Sequence, residues 1–99
     1  MILKENEIYA FRVEGQTVIA KVEAILDTSF ELVNVYQLAF MRDPNNPDSV
    51  NIGLIDFMPG ISVDKKVSMR KEAISGVANV SKELSDLYLQ QTTGIQLAS

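Results

Sequence analysis

Ninety-nine residues suffice for one domain with a single small core, and a composition 46% hydrophobic and 22% charged is that of a folding chain rather than a disordered tail. The chain has no cysteine and no histidine, which excludes disulfides and thiolate chemistry and removes the commonest metal ligand and neutral-pH base. Thirteen acidic groups against nine basic ones leave a net charge of −4, which argues against diffuse binding to a polyanion.

No apolar run approaches the roughly 20 residues of a membrane span, and the opening Met-Ile-Leu-Lys-Glu lacks the shape of a signal peptide. A soluble, cytoplasmic protein with no membrane partner is expected. Residues 1–7 carry at most one helical turn, too short to stand alone. The first strand is residues 8–13, where Tyr9, Phe11 and Val13 oppose Ile8, Ala10 and Arg12, and Glu14-Gly15-Gln16 supplies a turn.

Two long runs follow, residues 17–26 and 30–42, separated only by Asp27-Thr28-Ser29. Both have period two, so they form a hairpin. In the second run the odd positions Val33, Val35, Ala39 and Met41 are apolar as well, which requires a central strand covered on both faces or sharply bent. Residues 42–49 hold two prolines and four Asn or Asp residues and read as an exposed loop. Residues 50–58 form the fourth strand, stopped by Pro59-Gly60; its two apolar faces near the end of a sheet favour self-association. Residues 67–78 read as one irregular fifth strand bulged near its centre.

At Ser81 the period changes. Val80, Leu84, Leu87, Tyr88 and Gln91 fall at helical spacing, Ser81 is the N-cap and Glu83 lies in the first turn, which predicts a helix over 81–92 against the sheet or a partner. Residues 94–99 are expected to fray. The fold class is therefore mainly β: a small, strongly bent five-stranded antiparallel barrel with a C-terminal α-helix.

No constellation has catalytic or metal-ligand spacing. Oxygen ligands crowd the loop from Asp43 to Asp48, yet the glycine and terminal glutamate of a calcium loop are missing and two prolines stiffen it. Glu23 and Asp27 lie about 13 Å apart by strand rise, too far to share a proton. The serines have no histidine to activate them. No enzyme activity, metal or cofactor is expected. Four of the nine basic residues, Lys65, Lys66, Arg70 and Lys71, fall in one window, so a positive patch can exist on an acidic protein. Phe30 and Tyr36 are the aromatics placed to stack on a base, provided the ring is exposed at a strand edge.

The strand order and two short motifs resemble the Sm/LSm family, in particular the small Sm-like proteins of marine bacteriophages. Leu26-Asp27-Thr28-Ser29-Phe30-Glu31-Leu32-Val33 is similar to the first family motif through Asp27 and Phe30, with Glu31 where the family carries asparagine. Ile74-Ser75-Gly76-Val77 is similar to the second through Gly76, with Ser75 where the family carries a cation. The family helix precedes its sheet, whereas the helix here follows it. The resemblance implies a bent SH3-type barrel whose subunits pair edge strands into a homo-oligomeric ring, with single-stranded RNA or DNA bound near the pore. It implies a nucleic-acid site of Asp27, Phe30, Glu31, Ser75 and Gly76, with Lys65, Lys66, Arg70 and Lys71 supplying charge, in the cytoplasm of a bacterial host if phage-derived. The alternative expectation is an adaptor barrel that assembles with protein partners and never touches nucleic acid.

Overall fold

Strand periodicity becomes strands over most of the chain: β1 (Ile8–Val13), β2 (Gln16–Ile25), β3 (Ser29–Asp43), β4 (Asn46–Asp56), β5 (Lys66–Arg70) and β6 (Ile74–Asn79), followed by α1 (Lys82–Thr93). The structure is a computed structural model that describes residues 2–57 and 66–93. Met58, Pro59, Gly60, Lys65 and residues 94–99 lie outside the described residues. All pairings are antiparallel and run in the order β4-β3-β2-β1-β6, with β5 also on β3. Because β2 occupies one side of β3, β4 and β5 lie end to end along the other, at residues 36–43 and 29–33.

The β1–β2 connection is a two-residue turn closed by the Val13–Gln16 pair, with both Glu14 (φ 50°) and Gly15 (φ 80°) in the left-handed region. That geometry matches strand twist, and only the glycine adopts it without steric cost.

Two expectations are corrected. Residues 42–49 are not a loop: β3 runs to Asp43, β4 restarts at Asn46, and Pro44-Asn45 form the tip of a tight hairpin. The Asx side chains build this turn, the Asn45 N–H donating to Asp43 Oδ1 at 2.9 Å and the Asp48 N–H to Asn46 Oδ1 at 3.3 Å. Pro47 is tolerated because β4 is an edge strand. Residues 67–78 are not one strand either. A 3-10 turn, Lys71–Ala73, divides them, because β5 belongs to β3 and β6 to β1, and the chain must turn to change partner.

The bend expected in β3 has a definite place. Asn34 sits at φ 50°, and the β2–β3 register shifts between Ile19 and Lys21, so Asn34 and Val35 oppose the single residue Ala20. This is a β-bulge, and asparagine is among the few non-glycine residues that occupy the left-handed region readily. It inverts the side-chain alternation. Before it Phe30 and Leu32 enter the first core with Phe11, Val18, Val22 and Met69; after it Val35 enters that core while Tyr36 faces the second, with Ile19, Leu54 and Tyr88.

The sheet curls about the first core tightly enough that Phe11 on β1 and Phe30 on β3 bring their rings within 6.0 Å across β2. Among the described residues no ladder joins β6 to β4 or β5, so the sheet is curled but not closed into a barrel. Helix α1 covers the second core. The Leu84 N–H donates to Ser81 Oγ at 3.3 Å, the expected N-cap bond, while Leu84, Leu87 and Tyr88 pack on the sheet and Gln91 stays exposed. The Tyr88 hydroxyl shares its one proton between the carbonyl oxygens of Asn34 (2.9 Å) and Val33 (3.2 Å), satisfying the backbone at the bulge. Burial pushes its phenol well above the ordinary range, because the phenolate oxygen would lose solvation there. Tyr36 meets it edge-on at 5.8 Å.

Candidate nucleic-acid interface

The β2–β3 turn is held by the Leu26 N–H donating to the Ser29 carbonyl at 2.9 Å, which leaves Asp27 and Thr28 exposed at its tip. Where β5 gives way to the 3-10 turn, the Lys71 N–H donates to the Thr28 carbonyl at 2.9 Å. Two segments more than forty residues apart thus become one corner, with an open cleft of about 380 Å³ lined by Thr28, Arg70, Lys71 and Glu72. Register explains the meeting: Ser29 pairs with Arg70, so continuing the β3–β5 ladder by one step brings Thr28 to Lys71.

The charges of this corner are mixed. Arg70 Nη1 lies 3.1 Å from Glu72 Oε1, but both side chains are mostly exposed, so the pair is weak and the guanidinium stays accessible to a phosphate. The Lys71 ammonium lies 5.2 Å over the ring of Phe30, a cation–π contact that places it at the rim. A second opening of about 360 Å³ adjoins it, lined by Ile2, Leu3, Ile25, Phe30, Lys71 and Val77. The corner therefore offers two cations, a hydroxyl and an apolar recess.

Phe30 is corrected as a stacking platform. Its ring is only 8% exposed and belongs to the first core, because Phe30 is on the inward side of β3. Its place is beneath Lys71, as a support. Tyr36, the other candidate, is 1% exposed and packed against Tyr88.

The remaining sequence candidates fall elsewhere. Glu31 accepts from the Ser68 hydroxyl at 3.2 Å across the β3–β5 ladder, and Lys66 Nζ lies 3.4 Å from Glu23 Oε1 on the same flank. Lys66 is a strand length from Arg70, at the far end of β5. Lys65 is outside the described residues. Ser75 and Gly76 lie on β6, where the Ser75 hydroxyl donates to the Arg12 carbonyl at 3.2 Å and Gly76 pairs with Arg12. Nothing in the backbone demands glycine at 76: a Cβ there would meet Arg12 Cβ at 3.7 Å, an ordinary contact. Of the nine candidates, Phe30, Arg70 and Lys71 come together, and Asp27 lies exposed on the turn beside Thr28. Thr28 and Glu72 complete the cleft and are not legible in the sequence, since their role follows from a ladder between distant strands.

Among the described residues no group of three acidic side chains is placed to hold a metal ion. No helix there is long and apolar enough to cross a membrane. Comparison with known protein families and with curated proteins finds no match for this chain.

Proposed function

We propose that the chain is a non-enzymatic Sm-like protein that forms a ring and binds single-stranded nucleic acid, RNA in the first instance, at the corner of Asp27, Thr28, Arg70 and Lys71. The observation that carries this reading is the backbone bond from Lys71 to Thr28, which unites the turn bearing the first motif with the cationic end of β5. Arg70 and Lys71 contact phosphate; Phe30 holds Lys71 in place, and the adjoining recess receives an apolar or base edge. Ring formation is supported by the two ends of the sheet. The outer strand β4 carries no charge from Ser49 to Ile55, and β6 carries none along its length, whereas unpaired natural edges are usually guarded by charge. One edge added to the other in head-to-tail fashion repeats a weak site around a closed assembly and raises avidity without new contacts.

The test is fluorescence anisotropy with oligo-U, oligo-A and single-stranded DNA at two salt concentrations, with the solution mass measured alongside. Binding by a closed oligomer that weakens with salt is expected, and Lys71→Ala makes the salt slope shallower by about 0.7 for each phosphate left without its cation. Placing a lysine on the uncharged edge, as in Ala78→Lys, opposes strand addition and lowers the mass. A salt-independent signal, or none at low salt, removes the nucleic-acid reading.

A second reading, an adaptor that assembles with proteins, is favoured by the burial of Phe30 and by the apolar surface of the β3–β4 hairpin, where Phe40, Met41, Val50, Ile52 and Ile55 are each at least half exposed. It predicts association with no response to oligonucleotides.

A further inference from the structure

Three consecutive residues at the Lys71 corner have different neighbours. Arg70 ends β5, and Lys71 and Glu72 open the 3-10 turn, whose tight winding sends successive side chains out in different directions. Lys71 turns over the ring of Phe30, while Glu72 lines the cleft of about 380 Å³ with Thr28, Arg70 and Lys71, its Oε1 3.1 Å from Arg70 Nη1. The side chains of Arg70 and Glu72 are 79% and 75% exposed, and an ion pair so open to water adds little to stability. A carboxylate beside two cations acts instead on whatever enters the cleft. It repels phosphate, and it accepts hydrogen bonds without donating any. One N–H of Arg70 takes one of its roughly four acceptor positions, which leaves others for a ligand.

We propose that Glu72 makes the corner selective for ribose over deoxyribose, by accepting a hydrogen bond from the 2′-hydroxyl of a nucleotide whose phosphate rests on Arg70 and Lys71. That selectivity presupposes the nucleic-acid reading of this corner and gives the site its substrate class. The backbone of DNA offers phosphate and ether oxygens and, away from its ends, no donor. The backbone of RNA offers one at every nucleotide, the 2′-hydroxyl. Glu72 therefore opposes both strands through its charge, and RNA alone offsets the repulsion by donating to it. Discrimination by a repulsive group that only the right partner satisfies needs no contact with the base. The neighbouring recess agrees with this division, since its lining is apolar apart from Lys71 and holds few groups that could read a base edge.

The test compares oligo-U, oligo-dU and 2′-O-methyl oligo-U of one length, in which the donor is present, absent and capped; the methylated strand keeps the sugar pucker of RNA. In anisotropy titrations the wild type is expected to bind oligo-U about ten-fold more tightly than either of the others, the worth of one hydrogen bond to a charged group. The salt slope is the same for all three, because the phosphates are unchanged. Glu72→Ala closes the gap, tightening oligo-dU and 2′-O-methyl oligo-U more than oligo-U, with an unchanged circular dichroism spectrum. Glu72→Gln, which keeps a carbonyl acceptor without the charge, leaves an intermediate gap. Equal affinity of the wild type for oligo-U and oligo-dU, or a gap that persists in Glu72→Ala, overturns the proposal, while salt-dependent binding leaves the nucleic-acid site standing. Three probes that tighten by one factor in Glu72→Ala reveal a carboxylate that only screens charge and overturn it equally. No binding of any probe at low salt removes the site itself, and the selectivity with it.

Discussion

Phe30 and Phe40 stand ten residues apart on one strand, in similar alternating surroundings, and have opposite fates. Phe30 is 8% exposed and touches Phe11 across the curled sheet; Phe40 is 67% exposed on the part of the hairpin that, among the described residues, α1 does not cover. Between them lies Asn34, whose left-handed backbone exchanges the faces of the strand. Before the bulge β3 lies within the curl, flanked by β2 and β5. After it the strand faces the helix, and then runs past the helix into solvent. Period two thus specifies that a residue has a face, while the fate of that face depends on what packs against it.

The largest expected effect breaks this contrast directly. Phe30→Ala is expected to cost about 3–5 kcal/mol, the usual loss for a buried aromatic, whereas Phe40→Ala in dilute protein changes stability by no more than about 0.5 kcal/mol. Urea denaturation of both variants measures the difference, and comparable losses would mean the hairpin face is buried within the monomer.

Next in size is the contact that holds the bend. Tyr88→Phe leaves the carbonyls of Val33 and Asn34 without their hydroxyl donor and is expected to cost about 1–3 kcal/mol. The same tyrosine has a pH signature. Burial raises its pKa in the folded state, so its contribution is complete below the ordinary phenol value near 10 and is lost as pH rises beyond it, where the unfolded chain has released its proton and the folded chain has not. Wild-type stability therefore falls more steeply than that of Tyr88→Phe in alkaline titrations followed by circular dichroism. Parallel curves would detach Tyr88 from the effect.

Smaller still is the bulge residue itself. Asn34→Ala places a residue less suited to the left-handed region at φ 50° and costs about 1 kcal/mol, while Asn34→Gly stays near the wild type. Equal losses in thermal melts of the two would show that the asparagine side chain, rather than the backbone angle, matters. The smallest effect is a gain. At Glu14, also at φ 50°, asparagine suits the two-residue turn better, and Glu14→Asn is expected to add about 0.5 kcal/mol.

Much of the local order is legible in the amino acids. The bounds of β1, the Glu14-Gly15 turn, the hairpin about Asp27-Thr28 and the Ser81 cap all depend on residues within a few positions of one another. The proline- and asparagine-rich segment from Asp43 misleads because its residues suit a loop and a tight hairpin turn alike. The choice rests on β4 finding β3 across the turn. Likewise 67–78 shows a strand pattern throughout, and only the separate positions of β3 and β1 require the break at Lys71–Ala73.

The candidate site divides in the same way. That Lys71 belongs to a cluster of positive charge is written in the chain, and so is a turn at Asp27-Thr28. Their union through one backbone bond, the burial of Phe30 beneath Lys71, and the removal of Ser75 and Gly76 to the β1 edge are not. The sequence by itself determined the period, turns and caps, because those follow from backbone preferences and side-chain chemistry over a few residues. The tertiary structure alone decided which faces are covered and which distant loops share a surface, because register and burial are set by pairing among strands that the chain connects only after long intervals.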